Sequence, residues 1–252
     1  MIYLQQSFKR MSSRDVSSLK AGRRLFNPLE ISSSIYAGPG VSNCISLLDY
    51  SQCGVSSGST ISYWPDMSGY NYYATQSTAA KCPTVSSTGI IFDSTNDCMV
   101  IPSIGLGDFT VFVRGKYTNS GSYNAFFEHG VDANSNNGFW FYGSTTPFKI
   151  YKSGSVTSVT SGSFWFNSTG TQTMALRYSS GEGVIKFYRN GVVCKTSASF
   201  SQTGTVSASF NIGSRNQSSV FCGLELRQLL IYNTALDTSD LSTVESWLAS
   251  QP

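Results

Sequence analysis

At 252 residues the chain is long enough to bury a core without help from metals or cross-links, as one large β domain or two small ones. Charged residues are only 12%, about half the usual share, against 40% hydrophobic and 13% aromatic. The net charge of +3 is unevenly placed: residues 1–30 carry six basic and two acidic side chains (+4), and the remainder eleven basic and twelve acidic (−1). The body therefore lacks the basic face of a nucleic-acid-binding fold.

Residues 1–41 form a basic, Ser-rich arm without periodicity, closed by the breaker cluster Gly38-Pro39-Gly40. Lys9, Arg10, Arg14, Lys20, Arg23 and Arg24 give it its charge. The opening Met1-Ile-Tyr-Leu-Gln-Gln lacks the charge, apolar run and cleavage site of a signal peptide. No apolar run approaches the roughly 18 residues of a membrane helix.

Residues 42–252 form the body, where β-rich segments alternate with turn residues. Gly89–Phe92 and Cys98–Ile101 flank the polar turn Asp93–Asp97. Phe109–Tyr117, Asn124–His129, Gly138–Tyr142, Phe148–Lys152 and Thr171–Tyr178 read as further strands. Val184–Arg189 and Val192–Lys195 enclose Asn190-Gly191, a strong hairpin signal because both residues tolerate positive φ. Leu224–Tyr232 is the last strand. Capped by Asp237 or Thr238, a helix then places Leu241, Val244, Trp247 and Leu248 on one face, with Asp240 and Glu245 toward its N-terminal half.

Six cysteines (44, 53, 82, 98, 194 and 222) are widely spaced and include no CxxC pair, which argues against zinc. They are compatible with disulfides such as Cys44–Cys53 or Cys194–Cys222, and equally with buried free thiols. Asp132, Asn134 and Asn136 place oxygen ligands at alternate positions, as in a calcium loop, but the twelfth position is Gly143 where an EF-hand has Glu. The same residues suit an ordinary polar turn. No cofactor is required by the sequence, and Ca2+ is the one metal for which it offers ligands.

Glycan binding needs aromatic faces together with polar groups. Trp140, Tyr142 and Tyr123 beside Asn136 and Asn137 supply both, as does the cluster Tyr70-Asn-Tyr-Tyr73; cross-strand packing is the competing role for each ring. Asn167-Ser-Thr169 and Asn216-Gln-Ser218 are glycosylation sequons, meaningful only on a secretory route.

Three stretches resemble the concanavalin A-like superfamily, laminin G type. The first is Ser46-Leu-Leu-Asp49 with Trp64-Pro-Asp66-Met-Ser68-Gly69-Tyr-Asn71. The second is Ile91-Phe-Asp-Ser-Thr-Asn-Asp97, Ile101-Pro102 and Phe109-Thr-Val-Phe-Val113. The third is Lys186-Phe-Tyr-Arg-Asn-Gly191, Phe210-Asn-Ile-Gly213, and Leu224–Ala235 with the helix. They span about 42–250 in the family's order. The resemblance implies an all-β, two-sheet antiparallel sandwich of jelly-roll type, with about a dozen strands and a short C-terminal helix. Members of the family bind glycans or proteins, or serve as structural modules on surfaces; a minority hydrolyse glycosides.

The hydrolase branch uses a Glu-x-Asp-x-x-Glu strand, and this sequence has none: Glu225 stands alone and Glu182 lies in a Gly turn. Asp-box turns of the sialidase kind do not occur either. With one histidine, His129, and no Gly-x-Ser-x-Gly elbow, a triad has little material. The expectation is a non-enzymatic protein of a virion, extracellular or other particle surface. Its arm would dock it onto other protein subunits, and its lectin-like body would display a surface for glycans. The alternative is a glycan-binding lectin of a cell or particle surface, with or without calcium, and a glycoside hydrolase is the third and disfavoured reading.

Overall fold

The computed structural model describes residues 38–118, 124–130, 139–143, 148–152, 155–159, 170–196, 199–200, 202 and 204–252. Among these, sixteen strands and one α-helix occur in chain order. The first four strands are β1 (Cys44–Asp49), β2 (Tyr63–Trp64), β3 (Ala74–Thr75) and β4 (Thr84–Val85). Next come β5 (Ile90–Asp93), β6 (Met99–Leu106), β7 (Phe109–Tyr117) and β8 (Asn124–His129). They are followed by β9 (Phe139–Gly143), β10 (Phe148–Lys152), β11 (Ser155–Val159) and β12 (Gln172–Ser179). The last are β13 (Val184–Arg189), β14 (Val192–Thr196), β15 (Val206–Ile212), β16 (Gly223–Tyr232) and the helix α1 (Thr238–Ser250).

The strands build two antiparallel sheets. Sheet A runs β14-β13-β12-β7-β16-β5-β4, and β1 joins beside β5 on the same edge of β16. Sheet B runs β11-β10-β9-β8-β15-β6-β3-β2. Between them lies an apolar core whose centre is aromatic: Phe109 stacks on Phe139 at 4.7 Å, and Phe127 on Phe210 and Phe141 at 5.2 and 5.3 Å. Such pairs add to the stabilisation their buried area already gives.

The strand segments read from the sequence recur within one or two residues, except that Met99–Leu106 extends well past Ile101. The count exceeds the dozen implied by the family resemblance, because β2, β3 and β4 are two-residue strands with no room for an alternating pattern. Asn190-Gly191 forms the β13–β14 turn, both residues at positive φ (48° and 78°).

Asp237 caps α1 by accepting from the Asp240 N–H at 2.9 Å. Leu241, Val244 and Leu248 are buried, and Trp247 is half-buried at the flank. Glu245 sits mid-helix, not in the first turn where the helix dipole would favour an acid. The helix lies on the face of sheet A turned away from sheet B. There Arg177 donates to the Leu236 carbonyl, and Arg114 to the carbonyls of Gln251 and Pro252. Phe112, Ala175 and Leu230 share a register row on that face and are fully buried. No helix among the described residues is long and apolar enough to cross a membrane.

Asp66 fastens the opening of the body. Its Oδ1 accepts from the Leu47 and Ser68 N–H groups, and its Oδ2 from the Ser68 hydroxyl and the Tyr72 N–H, all at 2.8–2.9 Å. Trp64, wholly buried, donates its indole N–H to the Asp49 carbonyl at 2.9 Å. The Trp-x-Asp-x-Ser motif thus ties β1 to the segment crossing to sheet B.

Candidate functional site

Among the described residues, α1 covers the outer face of sheet A, and no helix covers the face of sheet B turned away from the core. One register row crosses it: Tyr63 (β2), Thr75 (β3), Val100 (β6), Asn211 (β15), Glu128 (β8), Trp140 (β9) and Tyr151 (β10). Pleating places Tyr63, Thr75, Val100, Asn211 and Glu128 opposite the core, since Trp64, Ala74, Met99, Ile212 and Phe127, each one residue away, are buried. From Tyr63 to Trp140 is five strand spacings, about 24 Å at about 4.8 Å each.

The centre of the row is polar and buried. Glu128 and Asn211 are each 2% exposed. Glu128 Oε2 accepts from Asn211 Nδ2 at 2.9 Å and from the Asn216 N–H at 2.7 Å. Its Oε1 lies 4.0 Å from Arg215 Nε. Among the described residues the Asn211 Oδ1 atom is buried with no hydrogen-bond partner. A buried acceptor left unpaired is costly, so it marks a place where a ligand donor or a water gains most.

The cover of this centre is the loop after β15. It turns back at Gly213 (φ 77°), where a Cβ would come within 2.5 Å of the Phe92 ring. Arg215 and Ser219 bridge to each other, and the Val220 carbonyl accepts from the Ala125 N–H. Lys81 Nζ grips the Gln217 carbonyl at 2.6 Å. Asn216, Gln217 and Val220 all hold positive φ (52°, 54° and 55°). That conformation is strained for a β-branched residue, and such strain gathers at binding loops.

At the β2 end of the face Tyr63 pairs with Tyr73, ring centroids 5.0 Å apart. Tyr63 is 43% exposed and Tyr70 59%. Tyr72 instead packs partly against the core. Of the tyrosine cluster noted in the sequence, Tyr73 therefore joins Tyr63 at the rim of the face, while Tyr72 is structural.

Trp140 and Tyr142 lie on β9, in register with Glu128 and Ala125 on one side and with Tyr151 and Lys149 on the other. Tyr123, Asn136 and Asn137 lie outside the described residues. So do the calcium-loop residues Asp132 and Asn134 and the arm residues Lys9, Arg10, Arg14, Lys20, Arg23 and Arg24. Sequence reasoning missed Glu128 and Asn211. Their signal was a lone acid and a lone amide inside apolar strands, Phe-Phe-Glu-His and Phe-Asn-Ile.

His129 points into the core. Its Nε2 meets the Ile104 carbonyl at 3.0 Å, between the rings of Phe139 and Phe210, and burial holds its pKa below the usual range. Facing a carbonyl, Nε2 carries the proton, and the imidazole is a neutral core group. Asp93 and Asp97 staple the β5–β6 turn: Asp93 Oδ1 accepts from the N–H groups of Thr95, Asn96 and Asp97, and Asp97 Oδ2 from the Asp93 N–H. Burial, and then the neighbouring Asp93, push Asp97 up to about 6. Among the described residues no group of three or more His, Cys, Asp or Glu is placed to hold a metal. All six cysteines are free thiols. Burial raises the Cys98 and Cys222 thiols, which makes them poor nucleophiles.

The family model Laminin_G_3, of the concanavalin A-like lectin/glucanases superfamily, matches residues 92–242. The opening motif around Asp49, Trp64 and Asp66 lies before that span. Trypanosoma rangeli sialidase is similar in structure, with TM-score 0.60 and 13% identity over 85% of this chain and 35% of that one. The same enzyme in complex with sialic acid gives TM-score 0.61 at 13% identity, over 85% and 35%. The chain thus spans about a third of the length of the sialidases it matches. The CBM40 of a Ruminococcus gnavus IT-sialidase aligns at TM-score 0.43 and 16% identity, over 56% of this chain and 83% of that one. No curated protein matches in sequence.

Proposed function

This chain belongs to the concanavalin A-like lectin/glucanases superfamily, and from that premise we propose that it is a non-catalytic carbohydrate-binding module that uses the outer face of sheet B. The observation that supports this most is the Glu128–Asn211 pair. It sits buried and preorganised at the middle of a face whose register row carries tyrosine at β2 and tryptophan at β9. Sugar rings stack on aromatic faces, and their hydroxyls need donors and acceptors held in place. The row is long enough for several rings.

Glycoside hydrolysis needs two carboxyl groups, one on each side of the scissile bond. The row from Tyr63 to Tyr151 holds one. Glu128 Oε2 is held by two N–H donors of the fold, Asn211 Nδ2 and the Asn216 N–H. The full chain is to be tested on a glycan array with calcium and with chelator, beside Asn211→Ala. Saturable binding that falls at least tenfold in the variant supports the reading. Turnover of a glycoside substrate, or no binding to any glycan, overturns it. Sensitivity to chelator would support a calcium requirement, and its loss in Asp132→Ala would assign the ion to the loop of Asp132, Asn134 and Asn136.

A second role rests on the segregation of charge, +4 in residues 1–30 against −1 in the rest. The basic arm docks the domain onto other protein subunits of a particle, such as a virus capsid or fibre, and the sandwich is displayed on its surface. Deletion of residues 1–41 should abolish incorporation into the particle while glycan binding persists. Unchanged incorporation would refute the docking role.

A further inference from the structure

A cleft opens where the turn after β1 meets the β4–β5 turn. Its volume is about 390 Å³, within the size range of small-ligand sites. Ser51, Ser56 and Ser57 line one wall and Ser86 and Ser87 the other, with Tyr50 at the flank. Cys53, Gly54, Val55 and Val85 complete the lining, so no charged side chain faces the cleft.

The two walls are tied together. Val85 donates its N–H to the Ser59 carbonyl at 2.9 Å and accepts from the Gly58 N–H at 2.7 Å. The Ser59 N–H in turn bonds the Ser56 carbonyl at 3.1 Å. Gly54 and Gly58 hold positive φ (68° and 88°), which keeps the wall bent without a side chain in the way. Ser86 is committed to its own turn, donating to the Gly89 carbonyl and accepting from the Thr88 and Gly89 N–H groups. Ser56, Ser57 and Ser87 are exposed, and their hydroxyls enter none of these bonds.

A hydroxyl both donates and accepts, whereas a charged group does only one. A preformed wall costs little ordering when a ligand enters. We propose that this cleft is a binding site for a small neutral polyhydroxylated ligand, a monosaccharide unit with its hydroxyls on the serines and its C–H face against half-buried Tyr50. It is separate from the sheet B face and does not depend on it: the cleft stands on loops flanking sheet A, and it reads a single ring where the row on sheet B reads a chain.

Cys53, half-buried in the lining, gives a direct readout. The full chain is to be alkylated with iodoacetamide in millimolar glucose, galactose, mannose or N-acetylglucosamine, with labelling followed site by site in mass spectra. The expected result is that one of these sugars slows Cys53 labelling at least threefold and saturably, while labelling of half-buried Cys194 is unchanged. Ser87→Trp, an exposed substitution that fills the cleft, should abolish the protection. Asn211→Ala should leave it intact, although it removes glycan binding on sheet B. Protection that survives Ser87→Trp, or no protection by any of the four sugars, overturns the proposal. Protection lost in Asn211→Ala also overturns it, because the effect would then belong to the sheet B face.

Discussion

Glu128 and Asn211 stand opposite each other on the β8–β15 ladder, and the 2.9 Å bond between their side chains joins two groups that are each 2% exposed. Within this pair the carboxylate is the expensive partner, because an ionised group out of water has to be matched by donors. Asn211→Ala removes one of the N–H donors that meet it. A charge-assisted bond of this kind is worth about 1.5–3 kcal/mol, and chemical denaturation should show a loss of that size. Glu128→Gln keeps an acceptor in place and should cost less. Equal losses in the two variants would show that packing, not the charge, sets the energy.

Val220 is the most strained residue of the loop over this pair, a β-branched side chain at φ 55°. Val220→Gly relieves strain of about 1–3 kcal/mol but adds flexibility to the unfolded chain worth about 0.5–1 kcal/mol. The net expectation is a small gain in stability, about 0.5–1 kcal/mol. Glycan affinity should fall several-fold, since the loop is no longer held in one shape. A variant that gains stability and keeps full affinity would show that the strain has no part in binding.

Asp66 gathers four donors from three segments. Asp66→Ala orphans the Leu47, Ser68 and Tyr72 N–H groups together, and a loss of about 2–4 kcal/mol is expected. Differential scanning calorimetry would read it. Asp66→Asn, which retains one acceptor oxygen, should recover part of the loss.

Glu245 has the only pH effect on α1 with a defined direction among the groups described here. Burial pushes its carboxyl up to about 7, partly opposed by the Gly191 N–H, and its Oε1 has no hydrogen-bond partner. A carboxyl whose folded pKa lies above the unfolded value of about 4.3 favours folding in its protonated form. That contribution is complete below about pH 4, declines as pH rises, and is gone above about pH 7. At about 1.4 kcal/mol per unit, the full swing is at most about 3–4 kcal/mol. Glu245→Gln should flatten the stability profile between pH 4.5 and 7, to about that extent, and stabilise the domain at pH 8. An unchanged profile would place the carboxyl in water.

The long strands were legible because each carries enough residues for its composition to show: Phe109–Tyr117 and Val184–Arg189 lie where their β-branched and aromatic residues put them. Thr84–Val85 has two residues and no pattern, and it exists because β5 and the segment at Ser59 hold it. The site was less legible than the fold. Trp140 could be singled out as an aromatic near polar residues, but Glu128 and Asn211 are 83 residues apart. Their meeting depends on β8 lying beside β15 in sheet B, a neighbour relation set by topology and not by local sequence. His129 shows in the sequence only as the sole histidine at a strand end; the phenylalanines around it come from β9 and β15 and could not be seen from its own strand.

β1 and β16 are hydrogen-bonded neighbours, with Leu47 opposite Leu230, Leu48 opposite Leu229, and Gln228 donating to Asp49 across the pair at 3.1 Å. One partner is made near the start of the body and the other almost at its end. During synthesis the first strand must therefore wait, unpaired, until the chain as far as Gly223–Tyr232 has left the ribosome. Contacts of such long range slow folding and leave an open edge exposed in the meantime. A ribosome-bound chain halted before Gly223 would carry β1, β5 and β7 with no common strand to join them, and would be a natural client for a chaperone that recognises unpaired β edges.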